Sequence, residues 1–226
     1  MSELFSIQLQ NRQQSRDGVW LDLPTTTEQV QAALRQIDIS SDNPQGLFIS
    51  GYFAEEEKRF AIPYNMVLAS NVDELNFLAS RLETLSTGER AELNAALQAP
   101  QSELFSIGRI TDFPENVDYY VHLPDVRGPA QLGDYYLNRS GMVDMPEEWK
   151  GGIDTAQFGR YVAQQEQGVF TEYGYLVKSG DAWQKVHEDQ SVPEEYRVLS
   201  FPAPEVLRDA ANIPPPVQPE TEPQKV

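Results

Sequence analysis

The sequence predicts an α+β protein that is built from three small sections. Segments in which apolar and polar residues alternate, as in half-buried strands, occur in the first and last thirds of the 226-residue chain. Between them, apolar residues recur every three to four positions, which is typical of amphipathic helices. With 40% hydrophobic and 10% aromatic residues, most of the chain can bury a core and fold.

The first section, residues 1–64, is predicted to be a three-stranded sheet covered by one helix. The alternation at 5–9, the run Val19–Leu23 and the short apolar stretch 46–53 predict the three strands. Between the second and third strands, the hydroxyls of Thr25–Thr27 can cap a helix. Apolar residues then follow at helical spacing, so this helix has one face for the sheet.

The second section, residues 65–114, is predicted to be helical throughout. Residues 71–74 and 86–89 each place a glutamate three positions after an Asn or Ser, which is the pattern of a capping box. An apolar stripe follows each pattern, and Pro100 ends the second one. Ser102 can cap another helix or helical turn after it.

The third section, residues 115–198, mixes strands and helices. A strand is predicted at 117–123, helices around 129–138 and 154–164, and one or two closing strands within 169–177. From Leu199 to Val226, seven of 28 residues are proline, so the C-terminal tail 199–226 is predicted to be disordered.

The hexapeptide Ser-Glu-Leu-Phe-Ser-Ile occurs twice, at 2–7 and at 102–107. The first copy continues in strand alternation. The second copy follows a proline and places Leu104, Ile107 and Ile110 three apart, which is helical spacing. The neighbouring residues therefore predict two different structures for one string, and not two copies of one module.

The charge of the chain is strongly negative along its whole length. Thirty-five acidic residues stand against 17 Lys and Arg, which gives a net charge of −18 and a pI near 4.4. Residues 1–100 carry −7, residues 101–198 carry −9 and the tail carries −2. A field of this sign repels nucleic acids and membranes and attracts basic surfaces, although acidity for solubility alone is a simpler explanation.

Motifs that would indicate an enzyme are missing from the sequence. There is no cysteine, no phosphate-binding loop and no nucleophile elbow, and the two histidines, His122 and His187, are 65 residues apart. We therefore expect no catalytic residues, no cofactor and no metal site. The sequence also has no run of 18 apolar residues and no leader pattern, so we expect a cytoplasmic protein without a membrane span.

The acids themselves are the candidate functional residues. Carboxylates one turn apart on a helix lie roughly 5–6 Å from each other, and duplex DNA carries one negative charge per roughly 1.7 Å of axis. An acidic surface can therefore imitate part of a phosphate pattern and compete for a basic cleft, more weakly in salt. The candidate DNA-mimic surface consists of Asp73, Glu74, Glu83, Glu89, Glu92, Glu115, Asp118, Asp125, Asp134, Asp144, Glu147, Glu148 and Asp154. For each single residue, an ordinary solvated helix face is the simpler interpretation.

An ordered series of segments resembles one known family. The segments are Asp17–Pro24, Asn71–Leu82, Gly133–Leu137, Ile153–Arg160, Gly168–Tyr175 and Pro193–Val198. Together they are similar to the ArdA antirestriction proteins, above all to the longer ArdA-like proteins of Gram-positive bacteria, over residues 3–198. The acidic-apolar segment of shorter family members is missing, and the proline-rich tail lies outside the family core.

The resemblance implies an elongated homodimer that mimics bent B-form DNA. Such a protein would occupy the DNA-binding cleft of a type I restriction-modification enzyme, and its gene would be carried on a mobile genetic element. Two other functions remain open from the sequence: an acidic interaction module for another basic protein, and an enzyme that works through a pair of carboxylates.

Overall fold

The computed structural model describes residues 3–14, 17–41, 43–55, 59–100, 102–188 and 190–199. These residues form two three-stranded antiparallel sheets with α-helices between and around them, so the predicted α+β class is confirmed. In these ranges, no helix is long and apolar enough to cross a membrane. The predicted disorder of the tail concerns residues that, from 200 onward, lie outside the described part of the chain.

The first sheet has strands β1 (Phe5–Asn11), β2 (Val19–Leu23) and β3 (Leu47–Phe53) in the order β2-β1-β3. Every second residue of β1 is buried, as the alternation predicts. Helix α1 (Thr27–Gln36) follows β2, and Thr26 caps it by accepting a hydrogen bond from the backbone N–H three positions on.

Four helices follow β3: α2 (Tyr64–Leu68), α3 (Val72–Glu83), α4 (Thr87–Gln98) and α5 (Ile107–Thr111). Both predicted capping boxes are present at the starts of α3 and α4. Helix α2 has a single turn, which is too short for an apolar period to show in the sequence.

The predicted helix start at Ser102 differs from the structure. The hydroxyl of Ser102 accepts a hydrogen bond from the N–H of Leu104 at 3.1 Å in a local turn. Ser106 is the residue that caps α5, because its hydroxyl accepts from the N–H of Arg109. The second hexapeptide is thus a turn followed by a helix start, whereas residues 5–7 of the first copy lie in β1. The two copies therefore have different structures, as predicted.

At the predicted boundary of the second and third sections, the chain forms two turns of 3-10 helix, Phe113–Glu115 and Val117–Tyr119, before strand β4 (Tyr120–Leu123). The strand predicted at 117–123 therefore starts three residues late. The N–H of Tyr119 bonds to the carbonyl oxygen of Asn116 at 3.0 Å, which fixes a turn where the sequence pattern predicts an extended chain.

Three helices and two strands follow, with bounds α6 (Pro129–Asn138), α7 (Glu147–Lys150), α8 (Thr155–Glu166), β5 (Val169–Thr171) and β6 (Gly174–Lys178). The second sheet has the order β4-β6-β5, so the closing segment is a hairpin of two strands. A last turn of 3-10 helix spans Glu194–Tyr196.

Neighbouring residues of β6 belong to two different cores, because side chains alternate across a strand. Leu176 is buried in the main core, which also contains Leu4 and Leu75 and so joins residues of all three predicted sections. Tyr175 is fully buried in a smaller core with Leu132 of α6. The division of the chain into domains at residues 64, 114 and 198 stays a prediction.

Helices α6 and α8 touch through two glycines. A Cβ on Gly133 would lie 1.9 Å from the carbonyl oxygen of Thr155, and one on Gly159 would lie 1.8 Å from that of Pro129. No side chain fits into such a gap, so glycine at both positions sets the close crossing of these helices.

Candidate functional site

The thirteen candidate acids differ in what their carboxylates contact. Three of them bind backbone N–H groups at helix starts. Glu74 and Glu89 accept from the N–H of their N-cap residues at 3.2 and 2.7 Å, and Asp154 accepts from the N–H three positions on at 3.0 Å. Hydrogen bonds from Ser86 hold the pKa of Glu89 below its usual range. These hydrogen bonds fix the direction in which each of the three carboxylates points.

Three candidate acids form ion pairs. Glu115 pairs with Arg81, Asp134 with Arg139 at 2.6 Å, and Glu147 with a lysine three residues further along α7 at 2.6 Å. Hydrogen bonds from Asn138 and Arg139 lower the pKa of Asp134. Each pair offsets one negative charge locally, so these positions contribute less to the outward field than their residue type suggests.

Glu92 differs from the other candidates because it is partly buried on α4. Burial, together with the charges of Glu89 and Asp118, raises the pKa of its carboxyl group to about 8. One of its carboxylate oxygens is buried without a hydrogen-bond partner. At neutral pH, Glu92 therefore holds a proton in most molecules and adds little negative charge.

Four candidate acids are exposed and form no hydrogen bond or ion pair within the described residues: Asp118, Asp125, Asp144 and Glu148. Asp118 precedes the edge strand β4 and Asp125 follows it, while the other two lie in and just before α7. Glu83, the last residue of α3, is half-buried. The four exposed carboxylates, here called the free acids, are the groups best placed to meet a basic partner.

Sequence reasoning missed several exposed acids. They are Asp17, Glu28, Glu172, Glu194 and Glu195, all of which have exposed side chains. Glu194 and Glu195 directly follow Pro193. Two acids at this place are a sequence signal for the start of a helical turn, so this pair could have been found. The exposure of the other three depends on packing that no local pattern reveals.

A C-terminal strap, residues 183–188 and 190–199, lies across the helical section and has little regular structure. The fully buried carboxylate of Asp112 accepts hydrogen bonds from three successive backbone N–H groups of the strap, at 3.2, 2.6 and 3.3 Å. The side chain of Asn116 both donates to and accepts from the backbone of Gln184. Side chains of the helical section thus replace the strand partners that the strap lacks.

The far end of the strap is fastened to the start of α3. The candidate acid Asp73 accepts hydrogen bonds from the N–H groups of Val198 and Leu199 at 2.8 and 2.9 Å. The side chain of Asn76 donates to the carbonyl oxygen of Tyr196 at 3.0 Å and accepts from the N–H of Thr25 at 2.7 Å. Asp73 therefore has a structural role besides its charge.

An open groove of about 830 Å³ lies between α3, the start of α5 and the strap. Phe77, Ile107 and Leu199 contribute apolar surface to it, and Phe105 lies at its edge with 63% of its surface exposed. Its geometry is that of a concave binding surface, with apolar lining and a few polar groups.

The two histidines have structural partners. The Nε2 of His122 lies 2.9 Å from the carbonyl oxygen of Tyr173, and the ring of His187 packs edge-on against Phe77. Among the described residues, no group of three or more His, Asp or Glu side chains could hold a metal ion.

One known protein family matches most of the chain. The family model described as antirestriction protein (ArdA) matches residues 14–177, which is well over half of the chain. No curated protein matches the chain closely. ArdA is a family of non-catalytic antirestriction proteins, whose partners are restriction enzymes. The chain therefore belongs to the ArdA family of antirestriction proteins.

Proposed function

We propose that this protein is a DNA mimic that occupies the DNA-binding cleft of a type I restriction-modification enzyme. The observation that carries the proposal is the net charge of −18, which is spread over the whole folded chain and not gathered in the tail. A cleft that binds duplex DNA is lined by Lys and Arg that neutralise phosphates. An acidic protein of this kind competes for the same cations without any chemical reaction.

The three acids at helix starts support this function because backbone hydrogen bonds hold their carboxylates in place. Phosphates of a duplex are fixed at regular positions, and a mimic gains affinity when its charges are ordered before it binds. The carboxylates of Glu74, Glu89 and Asp154 are ordered by backbone N–H groups. The free acids add negative charge that internal cations do not offset.

We further infer that the protein acts as a homodimer, with its three sections forming one long acidic surface. Large exposed apolar side chains in the third section support an interface there: Met142 is 74%, Trp149 68% and Tyr161 60% exposed. Because the target enzyme works on DNA inside the cell, the place of action would be the cytoplasm. Sedimentation of the purified chain measures the dimer directly, and a monomer at micromolar concentration would contradict it.

The test of the mimic function is competition with DNA. A labelled duplex is bound to the methyltransferase core of a type I enzyme at low salt, and the purified protein is added. The wild-type protein is expected to displace the duplex. Replacing all free acids at once (Asp118→Asn, Asp125→Asn, Asp144→Asn and Glu148→Gln) should weaken the competition roughly tenfold and make it less sensitive to salt.

The matched control is Glu92→Gln, which makes the same chemical change at a carboxyl group that is mostly uncharged at neutral pH. It should compete as well as the wild type. Failure of the wild-type protein to displace DNA at low salt would refute the mimic function. Tight binding of another basic protein together with that failure would favour the acidic interaction module.

A further inference from the structure

The open groove beside α3 has a preformed shape. Its strap side is held by backbone N–H groups that donate to the buried carboxylate of Asp112. The N–H groups of Val198 and Leu199 also donate to the carboxylate of Asp73. Its other side is formed by the packed helices α3 and α5. A partner that enters this groove would not have to order it first, which lowers the entropic cost of binding.

Phe105 is an exposed aromatic side chain with a fixed neighbour. Its ring lies 4.8 Å from the guanidinium carbon of Arg109. That guanidinium is itself held by the carboxylates of Glu103 at 3.2 Å and Glu188 at 2.8 Å, and Arg109 is only 8% exposed. The phenyl ring therefore rests on a rigid base while most of its surface faces the groove and the solvent.

The charged groups around the groove are mainly acidic. Asp73, Glu74 and Glu188 contribute to its lining, against one charged base among the described lining residues, Arg197. Arg109 and Lys185 pair with Glu188, so the negative charge of the groove comes from Asp73 and Glu74. An occupant with positive charge would be attracted by these carboxylates, while one with negative charge would be repelled.

We propose that this groove binds an apolar side chain of the restriction enzyme that is flanked by Lys or Arg. The proposal rests on the proposed function and adds a second kind of contact to it. The acidic surface attracts the basic cleft of the enzyme at long range. The groove then adds an apolar contact, which the phosphates of duplex DNA cannot make. The apolar part of the affinity should be insensitive to salt.

Two other occupants have the wrong charge. The tail continues from Leu199, which lines the groove, but residues 199–226 carry a net charge of −2. A second copy of the chain carries −18, and the proposed dimer places it at the exposed apolar side chains of the third section and not at the groove. Both would bring negative charge to an acidic groove, whereas the DNA-binding cleft of a restriction enzyme brings positive charge.

The test compares two phenylalanines in the full-length protein. Phe105→Ala removes the exposed ring at the groove, and Phe53→Ala removes a ring that is 58% exposed on the first sheet, outside the groove. Affinity for the methyltransferase core is measured by DNA displacement at several salt concentrations. We expect Phe105→Ala to bind about tenfold more weakly at every salt concentration, and Phe53→Ala to bind like the wild type.

The outcomes separate this proposal from the function on which it rests. If the wild type displaces DNA but Phe105→Ala is as effective, the mimic function stands and the groove proposal is wrong. If the wild type displaces nothing, both are wrong. If the loss from Phe105→Ala disappears as salt rises, the contact is electrostatic and the apolar groove is also refuted.

A photoreactive benzoylphenylalanine at position 105 identifies the occupant in the complex. Crosslinks to an apolar segment of the methyltransferase core that is flanked by Lys or Arg are expected. Crosslinks only to residues 200–226 would show that the tail fills the groove, and crosslinks only to a second copy would show a dimer contact; either would overturn the proposal. Melting curves of each variant confirm that it is folded before binding is measured.

Discussion

The carboxylate of Asp112 lies 2.6 Å from the backbone nitrogen of His187, at a site where Asp112 is completely buried. The same carboxylate accepts the N–H groups on either side of His187, so one side chain satisfies three successive residues of the strap. The strap is thus held to the helical section by a buried charge with oriented donors.

Replacing Asp112 with alanine should destabilise the protein strongly. The change leaves three backbone N–H groups without an acceptor, which costs about 3 kcal/mol or more of the free energy of unfolding. Urea denaturation measures the change. Asp118→Ala is the control, because this exposed aspartate forms no bond in the described chain, and its effect should stay within about 0.5 kcal/mol. Equal effects of the two variants would contradict the role of Asp112.

The crossing of α6 and α8 predicts a second stability effect. Gly159→Ala would place a methyl group 1.8 Å from the carbonyl oxygen of Pro129, so the helices must move apart at a cost of about 1–3 kcal/mol. Gly88→Ala in α4 is the control, since nothing lies within 4 Å of its Cβ. Alanine there should be neutral or should stabilise by up to about 1 kcal/mol. Thermal melting compares them, and a Gly159→Ala variant as stable as wild type would refute the close contact.

Replacing phenylalanine with alanine should destabilise the protein to very different extents in the two copies of the hexapeptide. Phe5 is 3% exposed in the main core, and Phe105 is 63% exposed. Phe5→Ala should lower the free energy of unfolding by about 3–5 kcal/mol, since it removes a buried ring and leaves a cavity. Phe105→Ala should cost no more than about 1 kcal/mol, which is its contact with Arg109. Chemical denaturation measures both, and similar losses at the two positions would contradict the structure.

The buried carboxyl group of Glu92 predicts a pH dependence. Its pKa rises from 4.5 in the unfolded chain to about 8 in the folded protein. The folded state binds the proton more tightly, so its stabilising contribution is complete below pH 4.5 and is lost as the pH rises toward 8. Because the side chain is partly exposed, the loss is on the order of 1–2 kcal/mol.

Urea denaturation at pH 5, 7 and 9 tests this dependence. Glu92→Gln should remove the loss of stability with rising pH, because glutamine does not titrate. Glu28→Gln should keep it, since Glu28 is exposed and a hydrogen bond to the backbone and one to Thr26 lower its pKa. A wild-type protein whose stability is flat from pH 5 to 9 would show that Glu92 is charged in the fold.

Sequence periodicity predicts the long elements because their burial follows a local pattern. The alternation of Phe5, Ile7 and Leu9 and the capping boxes at Glu74 and Glu89 are each readable within a few residues. Helices α2 and α7, with five and four residues, are too short to show a period. The strap has no period at all, because it is held by side chains such as Asp112 that lie more than 70 positions away in the sequence.

The sequence shows where the candidate acids are, but not the state of each one in the fold, and their role as a DNA-mimic surface stays a prediction. Composition and spacing identify Glu92 and Asp118 equally, yet one is half-buried and the other is exposed. The difference arises where α4 packs against the second sheet, which brings the charge of Asp118 near Glu92. Ion pairs such as that of Glu115 with Arg81 also depend on tertiary structure. Local sequence contains neither kind of information.

The position of the strap in the sequence has a consequence during biosynthesis. Residues 183–199 leave the ribosome after every helix and strand that they contact, and their bonds to Asp73 span 125 and 126 positions. Contacts of such separation form late, because the chain must close a long loop first. A nascent chain can therefore build both sheets before the groove exists, so a translation product truncated before the strap would have most of the acidic residues without the groove.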